Sequence, residues 1–391
     1  MRILICSGEA PLPPTNGLRL QVAALREQLA KRHEVRVLAF LMPDQRVSAS
    51  GPPDMRLLEP PSPRGRIGRI VSNGRSLVAR RPRGFDEVIE ALRQPLLEEL
   101  ERFQPEIVHT TIGHLAAFTD ELAGCATVAA PLDAWHLNYA AEEVVAGRGR
   151  RWLLRSDAAR MRRFEGRQYR RFARVVVVSE DNAHALREAD PTLEVTVIPN
   201  GVDGERFSPR PSARRDPDLI LFTGVMSYAP NITAADFLAR RVMPIVRAAR
   251  PRARLGIVGR APAESVLALA ELDGIDVVGE VADMATWLSR GRAYACPMLT
   301  GSGIKNKLLE ALANGLPSVV TPRALAGLSV TPGRHVLVGD DEEQLAAHLV
   351  RVLDDDATAE ELARAGREYV AAHHSWDAVG RAYERVYAEV L

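Results

Sequence analysis

The chain has 391 residues, enough for two or three domains, and its 46% hydrophobic and 26% charged residues are the balance of an ordinary folded chain. With 51 basic and 50 acidic residues the net charge is +1, which argues against a general binder of nucleic acid; 4 Trp, 7 Tyr and 9 Phe are too few for a base-stacking platform. Three scattered cysteines, Cys6, Cys125 and Cys296, offer neither a zinc cage nor a disulfide framework, and no apolar run reaches the ~18–20 residues of a membrane span. The apolar start Met1–Cys6 is far too short for a signal peptide, so a cytoplasmic location is expected.

A strand over Arg2–Cys6 opens the chain, followed by the Pro/Gly-rich loop Ala10–Gly17. Leu18, Val22, Leu25 and Leu29 then recur at helical spacing, and Glu34–Phe40 reads as a second strand. That is the first unit of a doubly wound parallel sheet. Residues 43–86 are looser, with a short strand near Met55–Leu58, loops and an exposed helix. Alternation resumes with strands at Ile107–His109, Ala126–Ala130, Val175–Val178 and Val195–Ile198. The second half repeats the style at Leu219–Thr223, Arg254–Val258, Asp276–Val278, Ala293–Cys296 and Ser318–Val320. The expected architecture is therefore α/β, two doubly wound halves joined near Pro199–Asp203 and facing across a cleft, with ligands at the carboxyl ends of the strands. Between the halves, Arg148–Arg174 carries eleven arginines interleaved with apolar residues. Such a helix can meet an anionic membrane surface, but a solvated helix packing its apolar side on its own domain is the favoured reading.

The segment Cys296–Pro317 carries the strongest chemical signal. A strand ends, Gly301, Ser302 and Gly303 give a tight turn, and a helix is expected from near Ile304 to just before Gly315. Free amides and partial positive charge at a helix start favour phosphate, and glycines let the backbone approach an anion. Only Lys31, Lys305 and Lys307 among the 51 basic residues are lysines. A coding bias toward arginine explains the scarcity, and two of the three exceptions in one turn mark a site preferring a compact ammonium. Glu310, one to two turns further in, suits ribose hydroxyls. Together these features describe a nucleotide-diphosphate site. Asp354–Asp356 looks like a metal-binding D-x-D, but its place between two helices makes it a solvated loop, and no metal site is expected.

Gly301-Ser-Gly-Ile-Lys-Asn-Lys-Leu-Leu-Glu-Ala311 resembles the donor-binding motif of the family-4 retaining glycosyltransferases of GT-B fold, in the bacterial subgroup reading G-S-G-I-K-N-K-x-L-E-A. Pro199–Asp203, Phe222–Asn231, Gly259–Pro262, Gly279–Asp283, Ser375-Trp376 and, more weakly, Pro13–Gly17 fit the same family in order. The resemblance implies two Rossmann-like domains, 1–199 on the acceptor side and 200–368 on the nucleotide-sugar side, with a tail 369–391 packing back on the first. It implies a UDP-sugar donor, a saccharide or aminocyclitol-type acceptor, and retention without metal or other cofactor, in exopolysaccharide or antibiotic biosynthesis. Donor contacts would come from Gly17, Arg260, Val281, Gly301, Ser302, Gly303, Ile304, Asn306 and Glu310. Lys305, Lys307, Asp133 and His136 would carry catalysis, with His109, Asp133 and His136 on the acceptor side. Two other functions share the architecture: a nucleotide-sugar 2-epimerase, and a non-catalytic sugar-nucleotide-binding protein.

Overall fold

The Val, Ile and Leu runs form two all-parallel sheets, each in its own unit. Met1–Pro199 with Val379–Leu391 makes the first, and Asn200–Ala378 the second. The structure, a computed structural model, describes residues 1–14, 16–45, 52–61, 85–118, 120–145, 148–210, 214–301 and 303–391, without the side chains of 141–149. The helix expected before residue 86 falls largely in 62–84, outside the described residues.

The first sheet contains β1 (Arg2–Ser7), β2 (Glu34–Phe40), β3 (Met55–Leu58), β4 (Ile107–Thr110), β5 (Ala126–Leu132), β6 (Arg174–Val177) and β7 (Val195–Val197). Its order is β3-β2-β1-β4-β5-β6-β7. The order reverses between β1 and β4, the signature of a doubly wound sheet. Such strands are covered on both faces, which explains why Ile3–Cys6 is apolar without alternation and fully buried. The helices here are α1 (Gly17–Ala30), α2 (Phe85–Phe103), α3 (Trp135–Val145), α4 (Arg148–Tyr169) and α5 (Glu180–Ala189). Gly17 is the first residue of α1, capped by Asn16 Oδ1, which accepts from Arg19 N at 3.0 Å. The arginine-rich α4 sends Met161, Phe164 and Tyr169 into the core of its unit and leaves Trp152 71% exposed. No helix among the described residues is long and apolar enough to cross a membrane.

The second sheet contains β8 (Leu219–Thr223), β9 (Arg254–Val258), β10 (Ile275–Gly279), β11 (Ala293–Cys296), β12 (Ser318–Val320) and β13 (Leu337–Val338), in the order β10-β9-β8-β11-β12-β13. The two-residue β13 is too short to read from sequence. Here the order reverses between β8 and β11, so the loops after those strands flank the switch point. Helices α6 (Ala229–Phe237) and α7 (Asn306–Ala313) follow those loops. Further on come α8 (Glu342–Asp354), α9 (Asp356–His373) and α10 (Trp376–Val390). Asp354 ion-pairs with Arg250 and Asp356 with Arg292, while Asp355 caps α9 through Thr358, so each carboxylate of Asp354–Asp356 already has a partner.

The chain returns to the first unit at Val379, later than the expected residue 369. His374 is the reason: its ring bridges the Asn200 carbonyl (3.0 Å) and the Tyr369 hydroxyl (2.9 Å), and the Trp376 ring fills the space a Cβ at Gly201 would need. From there α10 buries Tyr383 and Tyr387 in the first unit, and Glu384 takes Arg32 and His33 at 2.8 and 2.9 Å. His109 ends in this packing. It is 1% exposed, its Nδ1 lies 2.8 Å from the Tyr387 hydroxyl, and burial drives its pKa down to about 3. Tyr383 and Tyr387 pack edge-on against the His109 ring, and its Nδ1 is taken by the Tyr387 hydroxyl. Tyr387→Phe strands a buried ring nitrogen and should cost about 1–3 kcal/mol in urea unfolding. Nucleotide affinity should not change; a stability loss below ~0.5 kcal/mol would contradict this packing role.

Candidate functional site

Three strands of the second sheet end in glycines that lie almost in contact. Gly224 (φ +156°), Gly259 (φ +154°) and Gly279 (φ +80°) follow or close β8, β9 and β10. Gly224 N donates to Val258 O at 3.1 Å, and Gly259 N donates to Gly279 O at 2.8 Å. A Cβ on Gly259 would lie 1.7 Å from the Gly224 carbonyl oxygen, so no other residue fits there. Arg260 comes next: its carbonyl accepts from Met226 N at 2.9 Å, which ties the two loops together, and its side chain is half-buried.

Lys307, on the first turn of α7, reaches back over the loop after β8. Its Nζ donates to Asn231 Oδ1, lies 3.5 Å from Met298 Sδ, and sits 4.9 Å above the centre of the Phe222 ring. Asn231 is 5% exposed and is itself held by donating Nδ2 to Val225 O at 2.9 Å. A Cβ at Gly224 would come within 3.2 Å of the ammonium. Desolvation lowers the Lys307 pKa, with Cys296 and Glu310 acting in the opposite direction. An ammonium has three donors, and among the described residues this one meets a single strong acceptor. The loop after β8 has no Arg or Lys of its own, and Lys307 supplies the cation from another element.

Glu310 lies on the same helix as Lys307, half-buried, and no described residue hydrogen-bonds its carboxylate. Burial raises its pKa to about 7, and the charges of Arg206 and Lys307 restrain that rise. Nothing in the sequence reading had singled out Arg206, an exposed residue whose backbone N–H is fixed by Asp203 at 2.9 Å.

Lys305 does something different from the expected open cation. It is 6% exposed, and its Nζ donates to the carbonyls of Gly303 (2.7 Å) and Gly301 (3.3 Å). Gly301 (φ +100°) and Gly303 (φ +71°) adopt conformations that favour glycine, and Lys305 clamps them. With φ −88° and ψ 87°, Lys305 is not helical, so α7 begins at Asn306 rather than near Ile304. Asn306 Oδ1 accepts from Asn200 at 3.2 Å, and Ile304 packs on the core. Ser302 lies outside the described residues. Val281, two residues past β10, is half-buried, and no described residue pairs its backbone N–H or carbonyl.

In the first unit, Asp133 and His136 follow β5. Asp133 Oδ1 accepts from Asn182 Nδ2 at 2.8 Å, and Asn182 Oδ1 takes Ala134 N at 2.9 Å. His136 pairs instead with Glu165 of α4, Nδ1 to Oε2 at 2.5 Å, and Oε1 of the same carboxylate accepts from Trp135 N at 2.7 Å. Nothing in the sequence singles out Glu165, one acid within an arginine-rich stretch.

Comparison with known proteins assigns the architecture. A model described as Glycosyltransferase Family 4 matches residues 15–206, and one described as Glycosyl transferases group 1 matches 217–355. Together the two models span most of the chain, and its two doubly wound parallel sheets have the GT-B fold of its structural neighbours. A GDP-mannose-dependent monoacylated alpha-(1-6)-phosphatidylinositol monomannoside mannosyltransferase of Corynebacterium glutamicum is 32% identical over 210 residues, 49% of this chain and 54% of that protein. The chain thus spans about half the length of that curated relative. Sucrose-phosphate synthase of Thermosynechococcus elongatus superposes with a TM-score of 0.71 at 18% identity, covering 99% of this chain and 98% of that one. HepE of Anabaena, solved with UDP and glucose, gives 0.66 at 12%, covering 98% and 99%.

The raised Glu310 pKa makes a checkable statement about stability. Between the ordinary carboxyl value of 4.5 and about 7 the folded chain holds a proton that the unfolded chain has lost. Stability therefore falls as pH rises through that window. Glu310→Gln lacks this loss, so its Tm should match the wild type near pH 4.5 and exceed it near pH 8 when no ligand is present. Parallel Tm–pH curves would show that the carboxylate is not desolvated.

Proposed function

We propose that the chain transfers a sugar from a nucleotide-diphosphate sugar, a UDP-sugar by preference, to a hydroxyl of a saccharide-type acceptor with retention of configuration. The observation that carries this reading is the under-coordinated Lys307 ammonium at the switch point of the second sheet, with the unpartnered Glu310 carboxylate on the same helix. A diphosphate would supply the acceptors that Lys307 lacks, and ribose hydroxyls would supply donors to Glu310. Close backbone at Gly224, Gly259 and Gly301 would admit the phosphates, Arg260 would add charge, and Val281 would offer its backbone to the base edge. Lys305 would serve by holding the Gly301–Gly303 turn. UDP in the HepE structure supports the choice of base, and the GDP-mannose dependence of the corynebacterial relative makes GDP the competitor. Gly17 at the start of α1 would be a donor contact, and Asp133 with His136 after β5 would belong to the acceptor side. Biosynthesis of an exopolysaccharide, or of a secondary metabolite such as an aminocyclitol antibiotic, is the proposed setting.

The chemistry asked of these residues is leaving-group stabilisation. As the anomeric C–O bond breaks, the diphosphate gains negative charge beside Lys307, and a fixed cation in a partly desolvated site stabilises the transition state by several kcal/mol. The acceptor hydroxyl attacks from the face the diphosphate leaves, and its proton passes to a diphosphate oxygen. Fixed cations then do what a metal would otherwise do, so no metal is required. Lys307→Ala should lower kcat about 10²-fold while changing donor KM much less, and wild-type turnover should survive EDTA. Normal turnover in Lys307→Ala, or loss on chelation restored by Mn²⁺, would overturn the reading.

A further inference from the structure

Glu165 is wholly buried near the C-terminal end of a helix otherwise crowded with arginine, yet its two oxygens are spent on α3. Oε1 takes the N–H of Trp135 and Oε2 meets Nδ1 of His136. Trp135 and His136 are the first two residues of α3, where free amides and the positive end of the helix suit a carboxylate. A carboxylate only accepts, so the 2.5 Å contact makes Nδ1 the donor. The second ring nitrogen is then the open one. The His136 side chain is 11% exposed, and no described residue hydrogen-bonds Nε2. A helix start could be capped by a serine at the surface; a buried carboxylate costs far more unless its partners are fixed for a purpose. Asp133, the nearer acid in sequence, is not the partner, since it is taken by Asn182.

We infer that Glu165 is a positioning residue that fixes His136 in the Nδ1–H tautomer and leaves the Nε2 lone pair to accept a hydrogen bond from the acceptor hydroxyl. This rests on the proposed reading of the first unit as the acceptor side. In Glu165→Gln the amide oxygen can keep the Trp135 N–H while the amide N–H donates to Nδ1. The ring then carries its proton on Nε2 and can no longer accept there.

The test reads the tautomer directly, in long-range ¹H–¹⁵N spectra of the intact ¹⁵N-labelled chain near neutral pH, with the His136 signals assigned by their loss in His136→Gln. The wild type should show a protonated Nδ1 and a bare Nε2, and Glu165→Gln should show the reverse. In turnover, Glu165→Gln should lower kcat by about 10–100-fold with donor KM unchanged, and Glu165→Asp should restore the wild-type tautomer and part of the rate. An Nε2–H ring in the wild type overturns the inference, and so does an unaltered tautomer in Glu165→Gln. Should that variant not fold, the wild-type tautomer decides alone. A reversed tautomer with unaltered kcat overturns the acceptor contact. Because the spectra need no turnover, failure of the glycosyl-transfer reading is seen separately from failure of the Glu165 assignment.

Discussion

The second unit is organised around a near-contact of two backbones. With Gly259 pressed against the carbonyl of Gly224, the loops after β8 and β9 meet backbone to backbone. The β8 loop, Gly224–Tyr228, contains no Arg or Lys. The charge comes from α7, after β11 on the other side of the switch point, through a lysine long enough to lie over Phe222 and reach Asn231. Sheet topology brings these elements together: β8 and β11 are neighbours although roughly seventy residues separate them.

Both units hold a polar group on one side only. Among the described residues, Lys307 is anchored by Asn231 and Met298 but keeps donor capacity, Glu310 has no hydrogen-bond partner, and His136 is tied at Nδ1 alone. Burial opposes the charged form of both Lys307 and Glu310 in the ligand-free chain. Natural folds retain such costs where a ligand removes them.

Much of this was legible from the residues. Buried parallel strands must be apolar runs bounded by turns, and most strand bounds agree with the sequence reading within one or two residues. Lys307 stood out because lysine is so rare in this chain. Other features depend on partners distant in sequence. Asn231 and Lys307 are 76 positions apart, and Glu165 and His136 are 29 apart. His109 carried the signature of a ligand-facing strand end, but tyrosines from a helix some 270 residues later enclose it. The start of α7 was read two residues early because Lys305 turns its ammonium onto the preceding carbonyls, a choice that helix propensity does not encode.

The central claim is that the carboxyl-end loops of the second sheet hold a nucleoside diphosphate. Amide hydrogen exchange of the intact chain, with and without saturating UDP, tests it most directly. The expected result is slower exchange confined to residues 224–231, 259–263, 279–283 and 303–310, with GDP giving weaker protection. Protection elsewhere with these segments unchanged, or no protection by either nucleotide, would contradict the account.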